Sequence, residues 1–318
     1  MHGQPFERRT MSLKVSIVGE PLKTQDQNLS DSLLIQVLGL AAEAHVELVS
    51  IREADLVLVH PYRSPFNSTA TGALFESVTN RLSGVRKRGP EALLRRMYRI
   101  PARTRILAVS HENLDRRPWQ VFGNLLAKTE IPRLTFWPQD LDPDGFRFPY
   151  WWNYVDWPEI PQLRTGKNTR FGALYDLDVL CESQDLTQDL NQRSNKAVWL
   201  TNHLEFPRGE ILEMIRKDVE VDVIQGIPWG QKLNFLRSYK YCVTSENSPG
   251  FGYETEKNLE ARMAGCIPIG YIQNPFSDFN ENAFFFKPPT ESVLSIPPLL
   301  KMRPKLGGLL EYISGSVL

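Results

Sequence analysis

The residues of this 318-residue chain whose types and spacing could perform chemistry are concentrated between Tyr239 and Tyr271, in YKYCVTSENSPGFGYETEKNLEARMAGCIPIGY. An apolar run comes first, followed by a polar loop with glycines at 250 and 252, the charged pair Glu256-Lys257 and a second apolar run. This order predicts a strand, a loop, a helix and a strand. A βαβ unit whose first turn carries glycines, an acid and a lysine is a usual place to hold a nucleotide diphosphate.

Glu256 and Lys257 are predicted to lie in the first turn of the helix, with Thr255 as its N-cap. The acid could simply complement the helix dipole, or it could accept hydrogen bonds from both ribose hydroxyls of a nucleotide. The lysine has the opposite sign for this position, so a nearby anion such as a diphosphate is its natural counterpart. We therefore interpret the pair as part of a nucleotide site.

A second cation, Arg208, is predicted at the start of another helix, which follows Pro207 and covers about 209–217. A guanidinium grips two phosphate oxygens in fork geometry and can stabilise a diphosphate leaving group; a surface arginine is the alternative. Asn202 and Asn247 are neutral hydrogen-bonding residues at predicted strand ends, and each is a weaker candidate.

His111 and Glu112 follow a predicted strand over 105–109. Ligands of open α/β sheets lie beyond the carboxyl ends of the strands. Glu112 is therefore placed where it could take a proton from an acceptor hydroxyl as that hydroxyl attacks a sugar carbon. His111 could do so instead, and a solvated loop acid is the remaining alternative.

Asp-x-Asp patterns occur at 142–144 and 176–178, and they would suit a metal that holds a diphosphate. Such short patterns often arise by chance, so we predict no metal site. We recognise no Ser/His/Asp or Cys/His arrangement, and the glycines at 250 and 252 complete neither a GxGxxG fingerprint nor a P-loop.

Apolar runs that alternate with helix-like spacing predict parallel sheets and an α/β fold. The predicted strands cover 13–19, 46–49, 55–60, 105–109, 197–200, 219–224, 241–243 and 266–271, and predicted helices include 33–44, 209–217 and 231–239. The chain length favours two domains of roughly 150 residues each, with a cleft between them.

An aromatic segment over 129–163 contains four of the seven tryptophans. Aromatic faces stack on pyranose rings, so this segment could be the floor of a sugar site. Packing between the two lobes is the alternative.

The composition narrows the class of protein. Lys plus Arg and Asp plus Glu each number 37, so the net charge gives no argument for nucleic acid as a partner. The three cysteines are odd in number and unclustered, which fits a reducing compartment. No apolar stretch approaches the roughly 20 residues that span a bilayer, and residues 1–12 lack the apolar region of a signal peptide. We expect a cytoplasmic protein, with peripheral contact at the inner membrane left open.

The segment YKYCVTSENS, followed by GYETEK at 252–257 and AGCIPIG at 264–270, resembles the signature of the α1,3/α1,4-fucosyltransferases of glycosyltransferase family 10. The resemblance covers about 196–286 well and is thin in the first half, where Glu112-Asn113 is similar to the family's Gly-Glu-Asn. It implies a GT-B fold of two Rossmann-like lobes: an acceptor-side domain over 1–162, a GDP-sugar-binding domain over 163–300 and a C-terminal tail or helix over 301–318.

Carried over to this chain, the resemblance implies that Arg208 and Lys257 contact the diphosphate of GDP-fucose and that Glu256 contacts its ribose. Glu112 would be the general base, and the donor site would also include Asn202, Glu246, Asn247 and Tyr253. The reaction would invert the anomeric centre, with an oligosaccharide as acceptor, no cofactor and no active-site metal.

Some residues depart from the family pattern. His111 replaces the usual glycine before Glu112, Glu254 stands where an apolar residue is common, and the residues around Tyr271 differ from the usual ones. The sequence most resembles bacterial members, which decorate surface polysaccharides. Two alternatives stay open: a catalytically silent GT-B protein that binds nucleotide sugars, and a transferase for another GDP-sugar.

Overall fold

The structure is a computed structural model. It describes residues 12–19, 33–42, 44–61, 88–114, 119–137, 142, 145–156, 175–176, 190–205, 208–228, 231–246 and 253–270. These residues form an α/β fold with parallel sheets, as the sequence predicted.

The first half of the chain builds a six-stranded sheet in the order β2-β1-β3-β4-β5-β6. Its strands are β1 (Ser12–Val18), β2 (His45–Leu48), β3 (Leu56–Val59), β4 (Arg105–Val109), β5 (Arg133–Thr135) and β6 (Gly145–Arg147). The helices in this half are α1 (Leu33–Ala42), α2 (Arg88–Tyr98) and α3 (Gln120–Leu126). Strand β1 pairs in parallel with β2 and β3, and β3 with β4. All four residues of β3 are buried, as expected for a central strand covered on both faces.

The aromatic segment continues into a 3-10 helix at Tyr150–Tyr154. Within it Trp151, Trp152 and Tyr154 are each no more than 5% exposed. These three rings therefore act as packing residues, whereas the ring of Tyr150 is only half-buried. Short strands β7 (Val155–Asp156) and β8 (Tyr175–Asp176) then pair in parallel, and a 3-10 turn covers Leu190–Gln192.

The second sheet has four strands in the order β10-β9-β11-β12, all parallel. They are β9 (Ser194–Leu200), β10 (Val221–Ile224), β11 (Tyr239–Val243) and β12 (Ile267–Ile269). Helices α4 (Arg208–Ile215), α5 (Lys232–Leu236) and α6 (Lys257–Met263) follow β9, β10 and β11 in turn. The βαβ unit predicted between Tyr239 and Tyr271 is thus present as β11-α6-β12.

Side chains that alternate along β9 bury two separate apolar clusters. Ala197 and Trp199 pack with Ile211, Leu212 and Ile215 of α4. Val198 packs on the other face with residues of α5, α6 and β11, among them Leu236, Ala261 and Cys242. Helices therefore cover both faces of the sheet, which is the doubly wound arrangement.

Contacts between Cα atoms divide the chain into two compact units. Of the described residues, those from 12 to 109 and from 121 to 133 form the first unit, and those from 110 to 120 and from 134 to 270 form the second. The domain limits expected from the sequence, 1–162 and 163–300, stay predictions, and the expected tail at 301–318 lies outside the described residues.

Two glycines with positive φ differ in how closely other atoms approach them. They therefore separate the cost of backbone strain from the cost of a steric clash. Gly19 (φ 75°) follows β1, and a Cβ there would lie 2.0 Å from the carbonyl oxygen of His60. Gly226 (φ 72°) follows β10, and a Cβ there would meet no heavy atom within 4 Å.

We predict that Gly226→Ala lowers the free energy of unfolding by about 1 kcal/mol, the cost of a left-handed conformation alone. Gly19→Ala should cost at least about 2 kcal/mol more, because the carbonyl of His60 must also move. Urea denaturation followed by tryptophan fluorescence and circular dichroism measures both. Equal effects of the two substitutions would show that the approach to His60 is relieved without cost.

Candidate functional site

The candidate site lies where β9 and β11 end side by side. The chain leaves β9 through α4 towards β10 on one side, and leaves β11 through α6 towards β12 on the other. Such a reversal of strand order opens a crevice at the carboxyl edge, which is the usual ligand position in open α/β sheets. Arg208 begins α4 and Lys257 begins α6, so both predicted cations flank this point.

Arg208 is held in place by the end of β9. Arg208 is only 7% exposed. Its guanidinium carbon lies 6.0 Å from the ring centre of Trp199. One guanidinium nitrogen donates to Oγ1 of Thr201 at 2.7 Å and to the carbonyl of His203 at 3.3 Å. The stacking and these hydrogen bonds orient the fork at the carboxyl edge of the sheet.

Lys257 is fixed by a set of contacts that we call the Glu246 clamp, made of Glu246, Thr255 and Lys257. The ammonium of Lys257 forms an ion pair with Oε2 of Glu246 and donates to Oγ1 of Thr255 at 2.8 Å. The other carboxylate oxygen, Oε1, accepts from the backbone N–H and from the hydroxyl of Thr255, both at 2.8 Å. The clamp therefore ties the end of β11 to the start of α6.

The pKa of Lys257 records the charges around it. Burial alone would lower this pKa, but the carboxylates of Glu246 and Glu256 outweigh burial and raise it. The positive charge of Arg208 opposes the rise, so the two cations are close enough to interact. The site thus presents two charged donors to one region, and Lys257 stays protonated at neutral pH.

The N-cap predicted for α6 is wrong. Glu256, not Thr255, occupies the N-cap position, and its side chain makes no capping hydrogen bond. The reason is that the Thr255 hydroxyl is engaged with Glu246 and Lys257 instead. Glu256 therefore lies just before the helix, and Lys257 is its first residue.

Other predicted donor-site residues lie around this edge. Asn202 follows β9, is exposed, and accepts through Oδ1 from the backbone N–H of Gly226 at 3.3 Å, which links it to the end of β10. Tyr253 is 7% exposed, and its ring meets that of Phe136 edge-on at 5.2 Å between centroids. Asn247 lies outside the described residues.

Glu112 is half-buried in the segment that follows β4. Its backbone N–H and carbonyl both bond to the hydroxyl of Ser110 at 3.1 Å, which fixes the turn. The neighbouring ring of His111 packs against Phe148 and Tyr150, each at 5.5 Å between centroids. The structure thus gives His111 a packing role and places the predicted base directly after it.

Two tyrosines continue the ring contacts of His111. Tyr150, which contacts His111, packs edge-on against Tyr154 at 5.6 Å, and their hydroxyls are 3.5 Å apart. Burial raises the pKa of Tyr154 far above its usual value, and the carboxylate of Glu256 raises it further. The ring contacts thus run from His111 through Tyr150 to Tyr154, and the charge of Glu256 acts on the last of these rings. These ring pairs were not predicted, because aromatic residues in a proline-rich segment carry no pairing information.

A second buried ion pair, also missed from the sequence, lies behind the site. Glu260 is 4% exposed, and its Oε1 lies 3.0 Å from the ammonium of Lys232 on α5. Burial and the like charge of Glu256 raise the pKa of Glu260 to about 7, although Lys232 opposes the rise. The four-residue spacing of Glu256 and Glu260 is visible in the sequence, but the partner 28 residues away is not.

Among the described residues, no group of three or more His, Cys, Asp or Glu side chains could hold a metal ion. No described helix is long and apolar enough to cross a membrane.

Comparison with known proteins gives similarity at the level of structure. No family model and no curated sequence matches the chain. A solved α1,3-fucosyltransferase with GDP-fucose matches at 15% identity and a TM-score of 0.50, over 99% of this chain and 81% of that one. An α1,3-fucosyltransferase with GDP matches at 13% identity and a TM-score of 0.51, over 100% and 83% of the two chains. At this identity the likeness shows the fold, and the predicted GT-B fold of two Rossmann-like lobes is confirmed.

The raised pKa of Glu260 predicts a pH-dependent stability. A carboxyl group whose pKa rises from 4.5 to about 7 on folding binds more protons in the folded state. Its contribution is complete below pH 4.5 and is lost as the pH rises through 7, up to about 3 kcal/mol. The free energy of unfolding of the wild type should fall over this range relative to that of Glu260→Gln, which has no proton to lose.

Urea denaturation at pH 4.5, 6 and 8 measures this difference. Glu213→Gln, which removes a surface carboxylate that is 71% exposed, serves as the matched control and should follow the wild type. Parallel pH curves for the wild type and Glu260→Gln would contradict the assignment.

Proposed function

We propose that the chain is an inverting fucosyltransferase that moves L-fucose from GDP-fucose to a hydroxyl of an oligosaccharide. The observation that carries the proposal is the convergence of Arg208, Lys257 and Glu256 at the reversal point of the second sheet. Its support is the resemblance of the GYETEK and AGCIPIG segments to the family 10 signature, together with the fold likeness to α1,3-fucosyltransferases solved with GDP-fucose and GDP.

In this proposal the two cations bind the diphosphate. The guanidinium of Arg208 and the ammonium of Lys257 are both charged and largely buried, so each forms strong charge-assisted hydrogen bonds with phosphate oxygens. Glu256 accepts from the ribose hydroxyls, and Asn202, Asn247 and Tyr253 line the donor site. The proposal includes no metal, because Arg208 and Lys257 supply the charged donors to the diphosphate.

The reaction is a single displacement. The acceptor oxygen attacks C1 of β-linked fucose as the bond from C1 to the phosphate oxygen breaks, which gives an α-fucoside and GDP. Glu112 takes the proton of the acceptor hydroxyl. Arg208 and Lys257 stabilise the negative charge that develops on the departing GDP.

The proposal also covers the acceptor and the location of the enzyme. O3 of N-acetylglucosamine or of a similar sugar in a surface glycan is the acceptor position suggested by the likeness to α1,3-fucosyltransferases. A cytoplasmic enzyme that works beside the inner membrane is consistent with such a product.

A donor screen tests the proposal directly. GDP-fucose should raise the melting temperature more than GDP-mannose or UDP-glucose, because a ligand stabilises the folded state in proportion to its affinity. A glycan array with GDP-fucose should then identify the acceptor. Binding of GDP-fucose without transfer to any acceptor would favour the catalytically silent alternative, and stronger stabilisation by GDP-mannose would favour another GDP-sugar.

The role of Glu112 is tested by separating transfer from binding. Glu112→Gln should lower the rate of transfer by about 10²-fold or more while the affinity for GDP is unchanged. His111→Phe keeps the ring contacts with Phe148 and Tyr150 and should retain transfer within about tenfold. The reverse pattern would make His111 the base.

The donor contacts are tested with two arginines, one at the start of α4 and one directly after its end. Arg208→Lys keeps the charge but loses the fork, and it should weaken GDP binding by about 1–3 kcal/mol in calorimetric titration. Arg216→Lys, further along the chain and paired with Glu213 at the surface, is the matched control and should bind GDP normally. Unchanged GDP affinity in Arg208→Lys would remove Arg208 from the donor site.

A further inference from the structure

The contacts within the Glu246 clamp use most of the hydrogen-bonding capacity of the Glu246 carboxylate. Oε1 accepts two hydrogen bonds from Thr255, and Oε2 accepts from the ammonium of Lys257. A carboxylate offers about four acceptor positions, so three are occupied. Glu246 is therefore poorly placed to receive hydrogen bonds from a nucleotide sugar, and its negative charge would repel a diphosphate.

Lys257, by contrast, keeps unused donor capacity. An ammonium has three N–H donors, and the described contacts use one for Glu246 and one for Thr255. The side chain of Lys257 is 17% exposed and that of Glu246 is 12% exposed. The clamp thus fixes a buried ammonium at two points and leaves a third donor.

A buried ammonium needs such a partner before any ligand arrives. Burial favours the neutral amine, and the carboxylate of Glu246 is the largest influence that keeps the pKa of Lys257 raised. Without Glu246, Lys257 would tend to lose its proton or turn towards water, and either change would remove a charged donor from the site.

We infer that Glu246 is a positioning residue: it holds the charged ammonium of Lys257 ready for a phosphate oxygen and does not itself contact the donor. The inference rests on the proposed function, because it takes the ligand to be a nucleoside diphosphate. It differs from the sequence expectation, which placed Glu246 among the donor contacts.

Calorimetric titration with GDP and with guanosine separates the two roles. Glu246→Gln should weaken GDP binding about tenfold, since the neutral amide has no charge with which to hold the ammonium, and should leave guanosine binding unchanged. In a Lys257→Met background, Glu246→Gln should weaken GDP no further, because the residue through which Glu246 acts is gone.

Equal losses for GDP and guanosine, or additive losses in the double variant, would overturn the inference and make Glu246 a direct contact. Unchanged GDP binding in Glu246→Gln would overturn it as well. If the wild type binds no GDP at all, the proposed function fails, and the inference fails with it. If the wild type binds GDP and the variants give one of the contradicting results above, only the inference fails.

Two further variants complete the design. Glu220→Gln removes a carboxylate that is 68% exposed and pairs with Lys196, and it should bind GDP as the wild type does. Thr255→Val removes the bridging hydroxyl but keeps the backbone N–H, and should cost about threefold in GDP affinity and nothing for guanosine. Should Glu246→Gln fail to fold, Thr255→Val decides: a loss selective for GDP supports the inference, and unchanged affinity overturns it.

Discussion

The parallel pairing of β9 with β11 is the constraint on which the candidate site depends. Cys242 lies opposite Val198, so the two strands end almost level, at Val243 and Leu200. Their connections then leave in opposite directions. This brings residues that are distant in sequence to one edge, because parallel strands can be joined only by long crossovers. A slip in this register would change the spacing of Arg208 and Lys257 along this edge.

Charge near this edge is stabilised by pairing rather than by water. Lys257 is paired with Glu246, and Lys232 with Glu260. Pairs of this kind add little net stability, since desolvation offsets most of their attraction. In the proposed function, the pair of Lys257 with Glu246 would hold a charged donor in place before the diphosphate binds, as stabilisation of a charged leaving group requires.

Local pattern was sufficient for most of the secondary structure. Apolar spacing predicted β1, β3, β4 and the β11-α6-β12 unit. This was possible because the spacing of apolar residues within a few positions shows which side chains a strand or helix buries. The prediction was wrong at the start of α6, where Thr255 was expected to cap the helix. The local sequence does not show that the hydroxyl of Thr255 donates its hydrogen bond to the carboxylate of Glu246, which lies after the preceding strand.

The sequence by itself determined that the fold is α/β, that its strands are parallel, and which cations stand at helix starts. Residue type and period fix these properties locally. Only the tertiary structure decided that Lys257 pairs with Glu246, that Glu260 pairs with Lys232, and that the rings of His111, Tyr150 and Tyr154 pack in series. Those choices depend on strand order and on which side chains share a buried volume, and a linear sequence specifies neither until the chain has folded.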